Sequence, residues 1–255
     1  MVPAPRRRAR RPGRGERARG APRDLIDGAR LAPYARARSD ERLQRATTVF
    51  YDGDTQRDFL EPQGALYVPA AAPIIPSLAR LTRLARAGTP RIRVIGTVCR
   101  HFPGDAELTP NGGLYPPHCM DGTPGQRKVD ATAPVAPRWI ENRPYGPGAL
   151  EELVRGEEVF IEKQDVDPLV GNRNTAAVLP RLLEGVEDVV IYGVVTEICI
   201  DRAVRALLGR GPRLHVVRDA IAPLDEARGR ECQERWRAAG VELTTTDAVE
   251  RVLSA

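Results

Sequence analysis

The sequence predicts an α/β protein with a doubly wound, mostly parallel six-stranded sheet and helices on both of its faces. Short runs of apolar, mostly β-branched residues alternate along the chain with segments whose apolar residues recur at helical spacing. Such alternation is typical of parallel strands joined by right-handed crossovers. The 255 residues and 42% apolar content are enough for one large α/β domain or two small ones.

The elements follow in a regular order. Strands are predicted at 47–51, 91–98, 158–163, 189–192, 213–217 and 241–245. Helices are predicted at 73–87, 174–183, from an N-cap at 196 to about 208, and at 227–239, with a short helix at the end of the chain. The stretch from Cys99 to about Gly148 is rich in Pro and Gly and is expected to be irregular. Loops of this length within a compact domain are usually functional.

The positive charge is concentrated at the start of the chain. Residues 1–23 hold nine Arg and one Glu, a net of +8, so the remainder of the +5 chain carries 5 − 8 = −3. We expect 1–23 to be a disordered basic tail, 24–45 a polar lead-in segment and 46–255 the folded domain. The tail is interpreted as an incidental extension or a start placed too early. The alternative is contact with nucleic acid, but the charge does not lie on a folded face with interleaved aromatic residues.

The cysteines and the hydropathy indicate the setting of the protein. The four Cys residues have no C-x-x-C spacing and no secretory signal precedes them, so a reduced, cytoplasmic protein is expected. No stretch approaches the ~20 apolar residues of a membrane span.

Cys199 is the first candidate for chemistry. It follows the apolar run 189–192, and Thr196 is the predicted N-cap of the helix in which it lies. The first turn of a helix favours an anion, which would make the thiolate accessible near neutral pH. The alternative is a buried Cys that only fills space.

Two further candidates also stand at the carboxyl ends of predicted strands. Only two of the 39 basic residues are Lys, which suggests that each retained Lys serves where Arg cannot. Lys163 closes the strand 158–163, whereas Lys128 is expected at the surface. Asp54 follows the first strand. Sites in doubly wound sheets form at these ends, so Asp54, Lys163 and Cys199 are expected to meet.

Several segments together resemble the isochorismatase-like cysteine hydrolases, of which the nicotinamidases cleave amides. The segments are Asp-Thr-Gln-Arg-Asp-Phe at 54–59, Tyr-Pro-Pro-His-Cys at 115–119 and Gly-Val-Val-Thr-Glu-Ile-Cys at 193–199. The resemblance covers about residue 47 to the C-terminus. It implies an isochorismatase-like, Rossmann-like three-layer fold, an Asp54-Lys163-Cys199 triad and often a homo-oligomer.

The chemistry expected of the triad is hydrolysis of an amide C–N bond through a thioester. Cys199 would attack, Lys163 would lower the pKa of its thiol, and Asp54 would act as general base and then acid. The resemblance also implies a cis peptide at Val194–Val195, with the N–H groups of Val195 and Cys199 as the oxyanion hole.

The resemblance assigns the substrate and metal positions as well. Phe59 and Tyr115 would line a slot for a small, planar amide, with nicotinamide as the default substrate. Cys99, His101 and His118 occupy the positions of an Asp-x-His pair and a later His that hold a divalent metal in nicotinamidases. Zinc is the expected metal, with Glu107 as a fourth ligand or water contact. The alternative is a metal site that has been lost, because Cys99 stands where Asp is expected.

Other enzymatic interpretations share parts of this pattern. A ureide or carbamoyl amide hydrolase would use the same triad without metal and with Arg side chains near the slot. Cleavage of an enol ether is disfavoured because such members generally lack the nucleophilic Cys. Asp58, Cys119 and His215 are expected to be structural.

Overall fold

The structure, a computed structural model, describes residues 48–88 and 91–253. The predicted tail 1–23 and lead-in segment 24–45 therefore lie outside the described residues. Among the described residues, no helix combines the length and hydropathy that a membrane span requires.

Seven parallel strands form one sheet. They are β1 (Thr48–Gly53), β2 (Ile92–Cys99), β3 (Pro137–Ile140), β4 (Glu158–Lys163), β5 (Asp188–Val194), β6 (Arg213–Ala222) and β7 (Glu242–Thr244). Their order is β3-β4-β2-β1-β5-β6-β7, and every neighbouring pair is parallel. The predicted fold class is confirmed, with one strand more than the six predicted.

The additional strand is β3, which lies inside the stretch predicted to be irregular. It is four residues long, begins with Pro137 and pairs only with β4. A short edge strand of this kind carries no apolar alternation because most of its side chains face solvent.

Helices connect the strands. They are α1 (Arg57–Leu60), α2 (Ile75–Ala87), α3 (Ala149–Leu153), α4 (Pro168–Gly171), α5 (Thr175–Leu182), α6 (Asp201–Leu207), α7 (Glu226–Ala238) and α8 (Thr246–Leu253). A π-helical turn, Thr196–Ile200, precedes α6. The predicted N-cap is wrong: Val195 caps this turn, and the hydroxyl of Thr196 has no hydrogen-bond partner among the described residues.

The sheet separates two apolar layers. One layer contains Phe50 of β1 and buried residues of α2 and α8, and the other contains Val49 of β1 and buried residues of α5, α6 and α7. Consecutive strand residues point to opposite faces, so the two layers lie on opposite sides of the sheet. This is the three-layer arrangement that the sequence predicts.

The strand register brings the carboxyl ends of the central strands to one edge. Cys99 of β2 lies opposite Lys163 of β4, and Gly53 of β1 lies opposite Gly193 of β5. Gly193 has φ +122°, and a Cβ there would lie 2.0 Å from the carbonyl oxygen of Gly53. Only glycine therefore allows β1 and β5 to approach this closely just before their carboxyl ends.

Candidate active site

Lys163 lies at the centre of the three side chains that the sequence singled out. Its Nζ is 3.2 Å from Oδ2 of Asp54 and 3.6 Å from Sγ of Cys199. Asp54 is fully buried, Lys163 is 1% exposed and Cys199 is 8% exposed. The structure therefore brings together three groups that are far apart in the sequence.

The backbone at Asp54 is unusual for a residue with a side chain. Its φ is +50°, in the left-handed region, and its N–H donates to the carbonyl oxygen of Thr97. Non-glycine residues in this region are uncommon and are often found at functional sites. The ion pair with Lys163 lacks hydrogen-bond alignment, so neither carboxylate oxygen of Asp54 has a hydrogen bond within residues 48–88 and 91–253.

The electrostatics of Lys163 keep it charged. Burial alone would lower the pKa of the ammonium, but Asp54 and the two neighbouring thiols outweigh burial and hold the pKa well above its ordinary value.

The thiol of Cys199 differs from the expectation. The contact with Cys99 and burial raise the pKa of Cys199 well above its ordinary value, against the lowering effect of Lys163. The expected low-pKa thiolate is therefore wrong for the free protein. The reason is the second thiol, because Cys99 also lies 3.1 Å from Nζ of Lys163 and shares the cation. Cys199 is a neutral thiol at rest and requires a base to take its proton.

The turn that carries Cys199 also holds the groups assigned to the oxyanion. The Val194–Val195 peptide is cis, as the resemblance implies, and Val195 is the N-cap of the π-helical turn. Cys199 lies in this turn, in which the N–H groups of Ile198 and Ile200 both donate to the carbonyl oxygen of Val195.

A narrow apolar slot leads to Cys199. It is lined by Phe59, Leu66, Cys99, Glu107, Tyr115, His118, Val166, Val195, Ile198, Cys199 and Leu224. The free volume is about 10 Å³, roughly that of one water. An aromatic ring can therefore enter only if side chains at the slot move, and the partly exposed Tyr115 and Leu224 are placed to do so. Both predicted substrate residues, Phe59 and Tyr115, lie on this slot.

Cys99, His101 and His118 also meet. Their ligand atoms all lie within 4.8 Å of one another, and all three residues are buried. Oε1 of Glu107 lies 3.7 Å from Nε2 of His101 and 3.8 Å from Nε2 of His118. Two of these buried atoms, Nε2 of His101 and Oε2 of Glu107, have no hydrogen-bond partner in the part of the chain that the structure describes.

These four residues fit a divalent metal. Nδ1 of His101 contacts Asp105 at 3.1 Å and Nδ1 of His118 contacts the carbonyl oxygen of Pro116 at 2.8 Å, which leaves both Nε2 atoms directed at the cluster. Burial and the nearby His118 lower the pKa of His101 to about 4, and burial lowers that of His118. Metals bind the neutral imidazole, so both side chains are in the form that coordinates.

Two structural residues hold the segments around the site: Gln56, which was not identified from the sequence, and Asp58, which was expected to be structural. The side chain of Gln56 brackets the end of β2, since its Oε1 accepts from the N–H of Cys99 and its Nε2 donates to the carbonyl of Cys99, both at 2.7 Å. Asp58 accepts from the N–H of Cys119 at 2.6 Å and so fixes the loop that carries His118. The sequence signal that could have indicated the role of Gln56 is the presence of a Gln so close to Asp54.

The expectation for Lys128 is wrong. Lys128 is 6% exposed, and its Nζ lies 2.9 Å from Oδ1 of the buried Asp52 and 4.7 Å from the centre of the Phe160 ring. Both lysines of the chain are therefore buried partners of aspartates on β1 or at its end. The shortage of Lys in the sequence correctly indicated a specific role for a retained lysine, but this holds for Lys128 as well as for Lys163.

Comparisons with known proteins agree with this fold. The isochorismatase domain family model matches residues 53–248. A pyrazinamidase of Pyrococcus horikoshii, solved in complex with zinc, superimposes with a TM-score of 0.62 at 23% identity over 78% of this chain and 99% of that one. An N-carbamoylsarcosine amidase of Thermoplasma acidophilum gives a TM-score of 0.59 at 21% identity over 79% and 97% of the two chains.

A curated relative is similar over a shorter part of its length. Streptothricin hydrolase of Streptomyces noursei is 28% identical over 151 residues, which are 59% of this chain and 48% of the relative. The chain thus spans about half the length of this curated relative.

Proposed function

The chain belongs to the isochorismatase family, and we propose that it is a cysteine hydrolase that cleaves the amide C–N bond of a small, planar substrate, with nicotinamide as the default. The observation that carries the proposal is the meeting of Asp54 and Cys199 around the buried ammonium of Lys163, at the wall of an apolar slot. A nucleophile, a base and a fixed cation in one cavity are the parts that acyl transfer requires.

The first half of the reaction forms a thioester. Sγ of Cys199 attacks the amide carbonyl carbon as the Asp54 carboxylate takes the thiol proton, which suits a thiol that is neutral at rest. The N–H groups of Val195 and Cys199 receive the negative charge that develops on the carbonyl oxygen. The C–N bond then breaks, and Asp54 returns the proton to the departing amine, which leaves as ammonia.

The second half releases the acid. Water attacks the thioester carbonyl while Asp54 again accepts a proton. The C–S bond then breaks and Asp54 returns that proton to the sulfur, which gives the carboxylic acid and the thiol of Cys199. Lys163 remains charged throughout, and its ammonium contacts both the carboxylate and the sulfur.

A divalent metal, zinc by preference, is part of the proposal. His101 and His118 would hold it through Nε2, with Cys99 and Glu107 as the remaining donors. When bound, the metal supplies an electrophilic centre that orients a ring nitrogen of the substrate. The thiol of Cys99 must lose its proton to join. Its contacts with Cys199 and the Lys163 ammonium favour that loss, but burial and Asp54 outweigh them and hold the pKa of Cys99 above its ordinary value.

The composition of the slot favours a flat amide over a ureide. Most of the lining side chains are apolar or aromatic, the polar ones being Glu107 and His118 besides the two cysteines, and no Arg is present among the described lining residues. A carbamoyl or ureide substrate has more polar groups and would leave them unpaired against such walls. This argument makes the ureide hydrolase the second candidate.

The proposal extends to the cellular compartment and the oligomeric state of the protein. All four cysteines are free and buried, which suits a reduced, cytoplasmic environment. We expect a homo-oligomer, as the family resemblance implies, and no role for nucleic acid.

The deciding experiment is an ammonia-release assay over small amides, with the metal content measured on the same samples. Cys199→Ala is expected to lose activity by a factor on the order of 10⁴ or more. Cys232→Ala is the matched control, since that buried thiol lies on α7 and touches Arg235 rather than the triad. Ordinary turnover by Cys199→Ala would show that the nucleophile is assigned wrongly.

A further inference from the structure

A second cavity lies behind the candidate active site. Its volume is about 540 Å³, within the 300–1,000 Å³ typical of small-molecule sites. It shares no lining residue with the slot that leads to Cys199. Nothing in the proposed hydrolysis uses it.

The two cavities adjoin the same strand ends. Val98 and Glu162 line the second cavity, and the residues that follow them, Cys99 and Lys163, belong to the candidate active site. Consecutive side chains of a strand point to opposite faces, and Val98 and Glu162 lie opposite each other in the register, as do Cys99 and Lys163. A molecule in the second cavity would therefore contact the strands that position the catalytic ammonium.

An indole forms part of the wall. Trp139 of β3 is 41% exposed, and its ring lies 5.4 Å from that of Phe160, which holds it in place. Val98, Ala133 and Pro134 add apolar surface. An exposed, supported aromatic ring in a cavity is a surface on which a flat ring can stack.

The charged lining residues are mostly paired with one another. The four carboxylates are Asp121, Asp130, Glu141 and Glu162. Asp130 pairs with Arg57, and the other three surround Arg100.

Arg127 differs from the other lining cations. Its side chain has no ion pair or hydrogen bond with any residue in the ranges 48–88 and 91–253. Lys128, the next residue, is occupied by the buried Asp52. Arg127 is exposed, and a guanidinium without a carboxylate partner is available to bind a ligand carboxylate in bidentate geometry.

We propose that this cavity binds a small aromatic carboxylate, with its ring on Trp139 and its carboxylate on Arg127. Binding places the ligand against β2 and β4 and so affects the positions of Cys99 and Lys163. The site does not depend on the proposed hydrolase function, because it is defined by its own lining residues.

The test uses the full chain and 2-naphthoate as the probe. The chain has two Trp residues, and Trp236 is 2% exposed, so ligand-dependent quenching of tryptophan fluorescence reports mainly on Trp139. We expect saturable quenching with one site per chain by calorimetry, equally in the wild type and in Cys199→Ala. Naphthalene-2-methanol, which lacks the charge, should bind at least ~10-fold more weakly.

Matched variants locate the site. Arg127→Ala should weaken binding by at least ~10-fold, whereas Arg138→Ala, an exposed arginine of β3 outside the lining, should not. Tyr115→Ala, which alters only the slot, should also bind normally. Absent quenching, equal binding by Arg127→Ala, or loss of binding in Tyr115→Ala would each overturn the proposal. The readout needs no turnover, so failure of the proposed hydrolase activity would be a separate result.

Discussion

Replacement of Lys163 by Met tests whether the catalytic cation is also a structural one. The change keeps most of the side-chain volume but removes the ammonium that lies 3.2 Å from the fully buried Asp54. Breaking a buried ion pair by removing one partner typically costs about 3–5 kcal/mol, because the other charge remains buried without compensation. For a chain of this size that corresponds to a fall in Tm of about 6–20 °C.

The double variant isolates the cause. Lys163→Met with Asp54→Asn has no uncompensated charge and should recover most of the lost free energy of unfolding. Urea unfolding followed by tryptophan fluorescence measures all three proteins. Both variants should be inactive in the ammonia assay, so stability recovers while catalysis does not.

Lys128→Met is the comparison at the other buried lysine. Lys128 and Asp52 have side chains that are each 2% exposed, so a similar loss of about 3–5 kcal/mol is expected. A surface lysine would cost roughly 0–1 kcal/mol. The reasoning on buried ion pairs is refuted if Lys163→Met costs less than about 1 kcal/mol, or if the double variant is less stable than the single one.

The remaining predictions concern pH and metal. His215 lies between two carboxylates, with Nε2 2.8 Å from Asp188 and Nδ1 3.2 Å from Glu242. Burial lowers the pKa of His215, but these two contacts outweigh it and raise the pKa above its ordinary value. The contribution of His215 to stability should be complete below about pH 6.5 and disappear as the pH rises through the higher folded pKa. The urea midpoint of the wild type should therefore fall between about pH 5.5 and 9, and His215→Gln should remove that fall. Glu107→Gln should weaken zinc binding by about 10–100-fold in a competition assay with a chelator, and unchanged affinity would exclude Glu107 as a ligand or water contact.

The triad illustrates what strand patterns predict well. Asp54, Lys163 and Cys199 stand out because each lies at or just after the carboxyl end of an apolar strand, and parallel strands place their carboxyl ends on one edge. That argument needs only local patterns and a general rule of topology. The position of Cys99 at the end of β2, beside Lys163, was not predicted from it.

The pKa of Cys199 shows where local reasoning was insufficient. The helix start and Lys163 both favour a thiolate, yet the contact with Cys99 and burial raise the pKa of Cys199 above its ordinary value. Cys99 is a hundred residues earlier in the chain, and its thiol reaches Cys199 only because β2 and β5 flank β1. A pKa depends on all neighbours in space, and most of these are distant in sequence.

From the sequence alone, the alternation of strands and helices determined the fold class, and the strand ends determined which side chains meet. The tertiary structure alone decided the burial of Lys128 against Asp52, the bracket formed by Gln56, the edge strand β3 and the cavity walled by Trp139. The physical reason is that periodicity records which face of an element is buried. Ion pairs, hydrogen bonds and cavities instead form between loops and edges whose partners are chosen only when the sheet assembles.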